Sequence, residues 1–282
     1  NSKVDEKGNF QNLYLQWGDA NVAIFKKGND LTHPIFEPIL DDQLVSPDHI
    51  KKIEEKIQKW FEETYLSKLD LSDQLKKFNS KPEERSFIFK IIENQYNFYQ
   101  INILDEFKLI DEPQRKEIHS LNFRLGKNVI FNSELIRPEY MKLKFHLWNL
   151  YYNESLNIDE YIPKDGNATL NIQNKLNEDL ITFLGFVSQN DLLIRLDIFN
   201  EFEKQLFKRE NRGPFSLPMD LSNLLGIKKD KLISILKSRS FNIQDIAEND
   251  LVISKKIKAN KTMNFKQNKG KKVLKKPLKK VK

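Results

Sequence analysis

The tightest constraint on what this sequence can fold into is the point where its acidic residues stop. From Lys255 to Lys282 there are 13 lysines and no aspartate or glutamate. Apolar residues thin out over the same stretch, which therefore cannot bury enough surface to offset the entropy of ordering it. A packed core has to come from residues 1–254, and residues 255–282 read as a disordered lysine-rich tail. This partition also decides what the net charge means. The whole chain carries +7, from 47 Lys and Arg against 40 Asp and Glu. Setting aside the 13 tail lysines leaves 34 against 40, a body of charge −6. The basic character belongs to the tail, and arguments about polyanions begin there.

Within the body, two runs rich in aromatic and branched residues, Leu13–Trp17 and Asn21–Lys26, flank Gly18-Asp19-Ala20. That is a β-hairpin signature. His33-Pro34 and Glu37-Pro38 keep the following chain extended. Ser46-Pro47-Asp48 is a helix start, with a capping hydroxyl, a proline at the first position and an acid near the positive end. Helical spacing then predicts helices after Pro47, over about 83–99, and from Asp111 to before Phe123. Val129-Ile130-Phe131 reads as extended, and Pro138 opens a helix that ends in Leu147-Trp148-Asn149-Leu150-Tyr151-Tyr152. Residues 153–169 read as a linker or long surface loop, 172–184 as a helix closed by Gly185, and 197–208 as another helix. Phe186-Val187 and Leu192–Leu196 suit a pair of strands joined across Gln189-Asn190. Trp17, Trp60 and Trp148 sit among apolar neighbours and read as core or hinge aromatics rather than base-stacking platforms.

Several chemistries lack their residues. Cysteine is absent, which removes disulfides, thiolate zinc sites and cysteine nucleophiles. His33, His49, His119 and His146 are scattered without metal-ligand spacing. No apolar run reaches the roughly 18–20 residues of a membrane helix. Neither glycine-rich phosphate cradle occurs. The only Gly followed by Lys-Lys is Gly270, without an upstream glycine. The Asp-Glu pairs at 105–106, 111–112 and 159–160 are followed by Phe-Lys, Pro-Gln and Tyr-Ile, not by the residues of an ATPase box. Acidic doublets such as Glu54-Glu55 and Glu62-Glu63 suit a solvated helix face better than a catalytic pair.

Two features point to nucleic acid. The first is the tail, with Lys255, Lys256, Lys258, Lys271, Lys272, Lys275, Lys276, Lys279 and Lys280 as its densest cations. A lysine arm neutralises phosphates and releases counterions without reading sequence. The second is Leu221–Leu236, a short helix, a turn at Gly226 and a second helix, with Lys228, Lys229, Lys231, Lys237 and Arg239 nearby. Helix-turn-helix modules are built this way, and so are ordinary helical hairpins, which are the commoner use of the pattern.

One succession is more distinctive: Arg124-Leu125-Gly126, then Ile130-Phe131, then Leu135-Ile136-Arg137-Pro138, then Leu147-Trp148-Asn149-Leu150. It resembles the C-terminal region of the alphaproteobacterial superfamily-two helicases related to the mitochondrial degradosome RNA helicase. That family reads Arg-Phe-Gly, a Val/Ile-Tyr pair, Leu-Leu-Lys-Pro and Leu-Leu-Trp-Ala-Leu in the same order. Gly28-Asn29-Asp30-Leu31 with Pro34, Gly185-Phe186, Arg195 with Asp197, and Phe215 through Leu224-Leu225-Gly226 also fall in order, so the resemblance spans about residues 10–245. Leu125 and Ser133 depart from it, standing where the family has Phe and Pro. The resemblance implies an accessory region of an ATP-dependent RNA helicase. ATP and Mg²⁺ would belong to motor segments that this chain does not contain, and the chain itself implies no cofactor.

The expected fold is α+β, mainly α. It comprises a hairpin and lead-in over 1–45, a helical body over 46–152, the 153–169 linker, a small α+β unit over 170–254 and the 255–282 tail. The expected partners are RNA or another single-stranded nucleic acid and the helicase motor of the same polypeptide, with no membrane. The alternative is a docking module for a ribonuclease or the ribosome, which the −6 body favours. The opening Asn1-Ser2-Lys3 has no signal-type apolar stretch, so a cytoplasmic protein or a piece of a longer polypeptide is expected.

Overall fold

The computed structural model describes residues 2–4, 10–17, 20–39, 46–78, 81–164, 167–173, 176–247 and 250–255. Their fold is α+β, mainly α: helices packed among small sheets in which every strand pairing is antiparallel. The N-terminal sheet runs β1 (Ser2–Val4), β2 (Phe10–Trp17), β3 (Ala20–Asp30) and β4 (His33–Pro38) in that order. The expected hairpin is β2–β3. Pro34 and Pro38 lie in β4, an edge strand, where a missing N–H costs no ladder bond.

Next come α1 (Pro47–Phe61), a turn of π-helix, and the short α2 (Ser67–Leu69) and α3 (Ser72–Leu75). Pro47 opens α1 as expected, but the Ser46 hydroxyl lies 3.1 Å from His49 Nδ1 and caps no backbone N–H. Then α4 (Pro82–Glu93) ends earlier than its apolar spacing suggests. Gln95 and Tyr96 take left-handed φ values of 52° and 70°. The turn points the Tyr96 hydroxyl at Asp70 Oδ1, to which it donates at 2.9 Å while accepting from the Leu71 N–H at 3.0 Å. Burial raises the Tyr96 pKa, and the Asp70 charge raises it further. Tyr96 is thus in the core, but not on a helix.

β5 (Phe98–Tyr99), α5 (Ile103–Phe107), α6 (Glu112–Ser120), β6 (Phe123–Leu125) and β7 (Val129–Asn132) follow, with β7 central in the sheet β5-β7-β6. After α7 (Pro138–Tyr152), β8 (Thr169–Asn171) joins β9 (Phe186–Gln189) and β10 (Leu192–Arg195) in a sheet ordered β8-β10-β9. The expected strand pair across Gln189-Asn190 is present. The helix expected from 172 begins only at α8 (Glu178–Leu184), because the Asn177 side chain accepts from the N–H groups of Asp179 and Leu180 and caps it there. Last come α9 (Leu196–Glu210), β11 (Phe215–Ser216), α10 (Met219–Leu225), α11 (Lys229–Ser238), β12 (Phe241–Ala247) and β13 (Asp250–Lys255), the strands ordered β11-β13-β12.

Two elements hold the molecule together by serving two cores each. Every residue of β7 is buried. Strand alternation sends Ile130 to the cluster built on α1–α6, and sends Val129 and Phe131 to the cluster built on α9–α11. α7 likewise gives Tyr140 and Leu147 to the first cluster and Met141, Phe145 and Trp148 to a third, around α8. That double duty explains why α7 is apolar almost all round. Residues 153–164, expected as a linker or surface loop, contribute Tyr161 and Ile162 to the third cluster. Trp148 is a core residue as expected, whereas Trp60 is 41% exposed at an edge-on contact with Tyr65.

Candidate nucleic-acid interface

The cations singled out in the sequence do not gather into one group. Lys228 and Lys229 stand at the start of α11, after the Gly226 turn. Lys237 and Arg239 stand at its end, about 15 Å away at 1.5 Å per residue. Lys231 is already engaged: its ammonium donates to Asp191 Oδ2 at 2.6 Å and also to Asn171 Oδ1. That hydrogen bond holds the Asp191 carboxyl below the usual carboxylate range. Asn190 donates to the Ser234 hydroxyl at 3.0 Å, so the β9–β10 turn covers one face of α11. α10 and α11 thus form a helical hairpin fastened to the β9–β10 turn along one face of α11, with Lys228 and Lys237 exposed. Lys255 ends β13 directly opposite Phe241. Lys256, Lys258, Lys271, Lys272, Lys275, Lys276, Lys279 and Lys280 lie outside the described residues.

Phe241 and Arg239 line a cleft of about 1040 Å³ that the sequence alone did not reveal. One wall is the β6–β7 turn with Asn102 and Ile101 beside it, and the other is the outer face of α9. The turn approaches α9 closely because residue 126 is glycine: a Cβ there would lie 1.8 Å from Asn200 Oδ1. This is the glycine of the Arg124-Leu125-Gly126 motif.

The floor is a closed polar network. Glu203, only 7% exposed, accepts from Asn128 Nδ2 at 3.0 and 3.1 Å and from the Arg239 guanidinium. Asn128 Oδ1 in turn accepts from the Asn102 N–H at 2.9 Å, where Asn102 is left-handed. The Arg239 guanidinium sits 5.5 Å over the Phe199 ring, which meets Tyr99 edge-on at 5.6 Å. Burial raises the Tyr99 hydroxyl pKa and the Glu203 charge raises it further, while Arg239 opposes both. A buried ion pair with its remaining lone pairs satisfied fixes geometry more than it adds stability. Arg239 is therefore a brace under the cleft.

On the α9 wall Phe207 is 43% exposed, and Lys127 Nζ lies 4.7 Å over its ring. Glu203 occupies the inner-face spacing of Phe199 and Leu206, a carboxylate where the pattern calls for an apolar side chain. That mismatch was the available sequence signal for the network; Phe207 and Lys127 gave none. No family model, no curated protein and no solved structure matches the chain. Among the described residues no group of three or more His, Asp or Glu stands where it could hold a metal ion, and no helix is long and apolar enough to cross a membrane.

Proposed function

We propose that this chain is a C-terminal accessory region of an ATP-dependent RNA helicase, acting in the cytoplasm, whose task is to hold single-stranded RNA. The observation that carries the reading is the root of the lysine-rich segment. β13 ends at Lys255, whose backbone pairs with Phe241 of the cleft lining, and twelve further lysines follow in the sequence. The tail supplies sequence-independent attraction for phosphate, and the cleft supplies a fixed surface at its base. The order of the Arg124-Leu125-Gly126, Arg137-Pro138 and Leu147-Trp148 motifs supports the helicase context. The resemblance assigns the ATP and Mg²⁺ of such a helicase to its motor segments.

The test is a salt titration of a labelled single-stranded RNA with the intact chain and with a chain ending at Lys255. Each phosphate neutralised on a single strand contributes about 0.7 to the slope of log affinity against log salt. With four to six tail lysines engaged, truncation lowers that slope by roughly 3–4. An unchanged slope would take the tail out of the account. If the intact chain bound no RNA at low salt, the −6 body would favour the docking-module reading instead.

A further inference from the structure

We propose that the cleft between the β6–β7 turn and α9 is a stacking site for unpaired bases of single-stranded nucleic acid, with Phe207 as the platform and Lys127 as the phosphate contact. The inference rests on the functional reading above and adds to it a site within the folded body.

Four observations converge. The first is size: about 1040 Å³ is at the top of the roughly 300–1,000 Å³ typical of small-ligand sites, room for a few linked nucleotides. The second is the platform. An aromatic ring is 43% exposed on an otherwise polar helix face with a lysine ammonium 4.7 Å above it, so a base takes the ring as Lys127 swings off it to meet the phosphate. The third is the lining. The lining sets the carboxamides of Asn102, Asn190 and Asn200 and the hydroxyls of Ser238 and Ser240, which suit base edges and sugars, among apolar side chains such as Ile101 and Leu125, which suit base faces. The fourth is charge. Asp105 is answered by Lys108 at 3.0 Å, and Glu203 by Arg239 and Asn128. Lys127 and Lys204 then stand with one further acid, Glu210, and Lys204 also pairs with Glu201 at 3.4 Å, so the lining itself holds four cations against three acids while the body carries −6. A duplex keeps its base faces stacked inside, so the ligand is single-stranded.

The test uses the full chain and two probes, a twelve-nucleotide oligoadenylate RNA and inorganic polyphosphate of similar length, which has charge but no bases. Phe207→Ala should weaken RNA binding at least about fivefold, the lower end of the loss per stacked base, and leave polyphosphate binding unchanged. Phe207→Tyr should restore RNA binding. Lys127→Ala should lower the salt slope for RNA by about 0.7. Equal losses of RNA and polyphosphate with Phe207→Ala would overturn stacking. RNA binding by Phe207→Ala equal to that of the intact chain would overturn the site while the tail-based function stands. No RNA binding by the intact chain at low salt would overturn both.

Discussion

Lys144 offers the sharpest test of the packing. It lies mid-way along α7 and is 1% exposed, with its ammonium donating to the Phe183 carbonyl and 5.2 Å from the Phe183 ring. That carbonyl is in the last turn of α8, where carbonyls lack helical partners, so Lys144 acts as a C-terminal cap reaching in from another helix. Burial is the cause that lowers its pKa from 10.5 to about 7. Between those values the unfolded chain holds a proton that the folded chain has released. Stability therefore rises with pH across the window, and the whole penalty is present below pH 7. At about 1.4 kcal/mol per unit, the penalty near pH 7 approaches about 5 kcal/mol. Lys144→Met keeps an unbranched side chain, removes the penalty and leaves the Phe183 carbonyl without a donor, a loss of about 1–3 kcal/mol. The variant should be more stable than the parent by about 2–4 kcal/mol at pH 7. At pH 10, where the parent's penalty has almost gone, the variant should be the less stable of the two. Urea unfolding followed by tryptophan fluorescence at both pH values reads the difference. A variant destabilised by several kcal/mol at both pH values alike would refute the reasoning, because it would mean that Lys144 is charged and compensated in the fold.

Three further substitutions probe other joints. Gly28→Ala puts a Cβ 1.7 Å from the His33 carbonyl oxygen across β3 and β4 and should cost about 1–3 kcal/mol, measured as a lower urea midpoint. Trp148→Ala removes a buried indole that meets the Tyr152 and Phe183 rings at a tilt and donates to Glu154 at 3.0 Å, with an expected loss of about 3–5 kcal/mol in the same assay. Arg239→Ala leaves Glu203 buried with Asn128 but without its counter-ion and should cost about 3 kcal/mol. The Arg239→Ala loss should shrink sharply when Glu203→Gln is added, since the double variant buries no charge.

Most of the elements could be read from local pattern. The β2–β3 hairpin, the Pro47 and Pro138 helix starts, the β9–β10 pair and the α10–α11 hairpin all announce themselves through turn residues, prolines and apolar spacing. Pattern failed where a side chain overrode periodicity. Tyr96 keeps helical spacing with Ile88 and Ile92, yet the backbone turns left-handed to deliver its hydroxyl to Asp70. Asn177 starts α8 several residues late because two backbone donors bind its carboxamide. The cleft was hidden for a different reason. Its residues come from five separate stretches, and only the shared strand β7 and the packing of α9 bring Lys127 onto Phe207. Of the basic residues chosen from sequence, Lys231 and Arg239 are neutralised by Asp191 and Glu203, partners too distant in the chain for local charge patterning to show.

The most direct test of the account is photo-crosslinking of the intact chain to single-stranded RNA containing 4-thiouridine, with the modified peptides identified by mass spectrometry. The account predicts crosslinks on the α9 segment that contains Phe207, on the Leu125–Asn128 turn and on residues 255–282, all lost with excess unlabelled RNA. Crosslinks that avoid the cleft and fall on the outer faces of α1 and α6, or none that unlabelled RNA competes away, would contradict it.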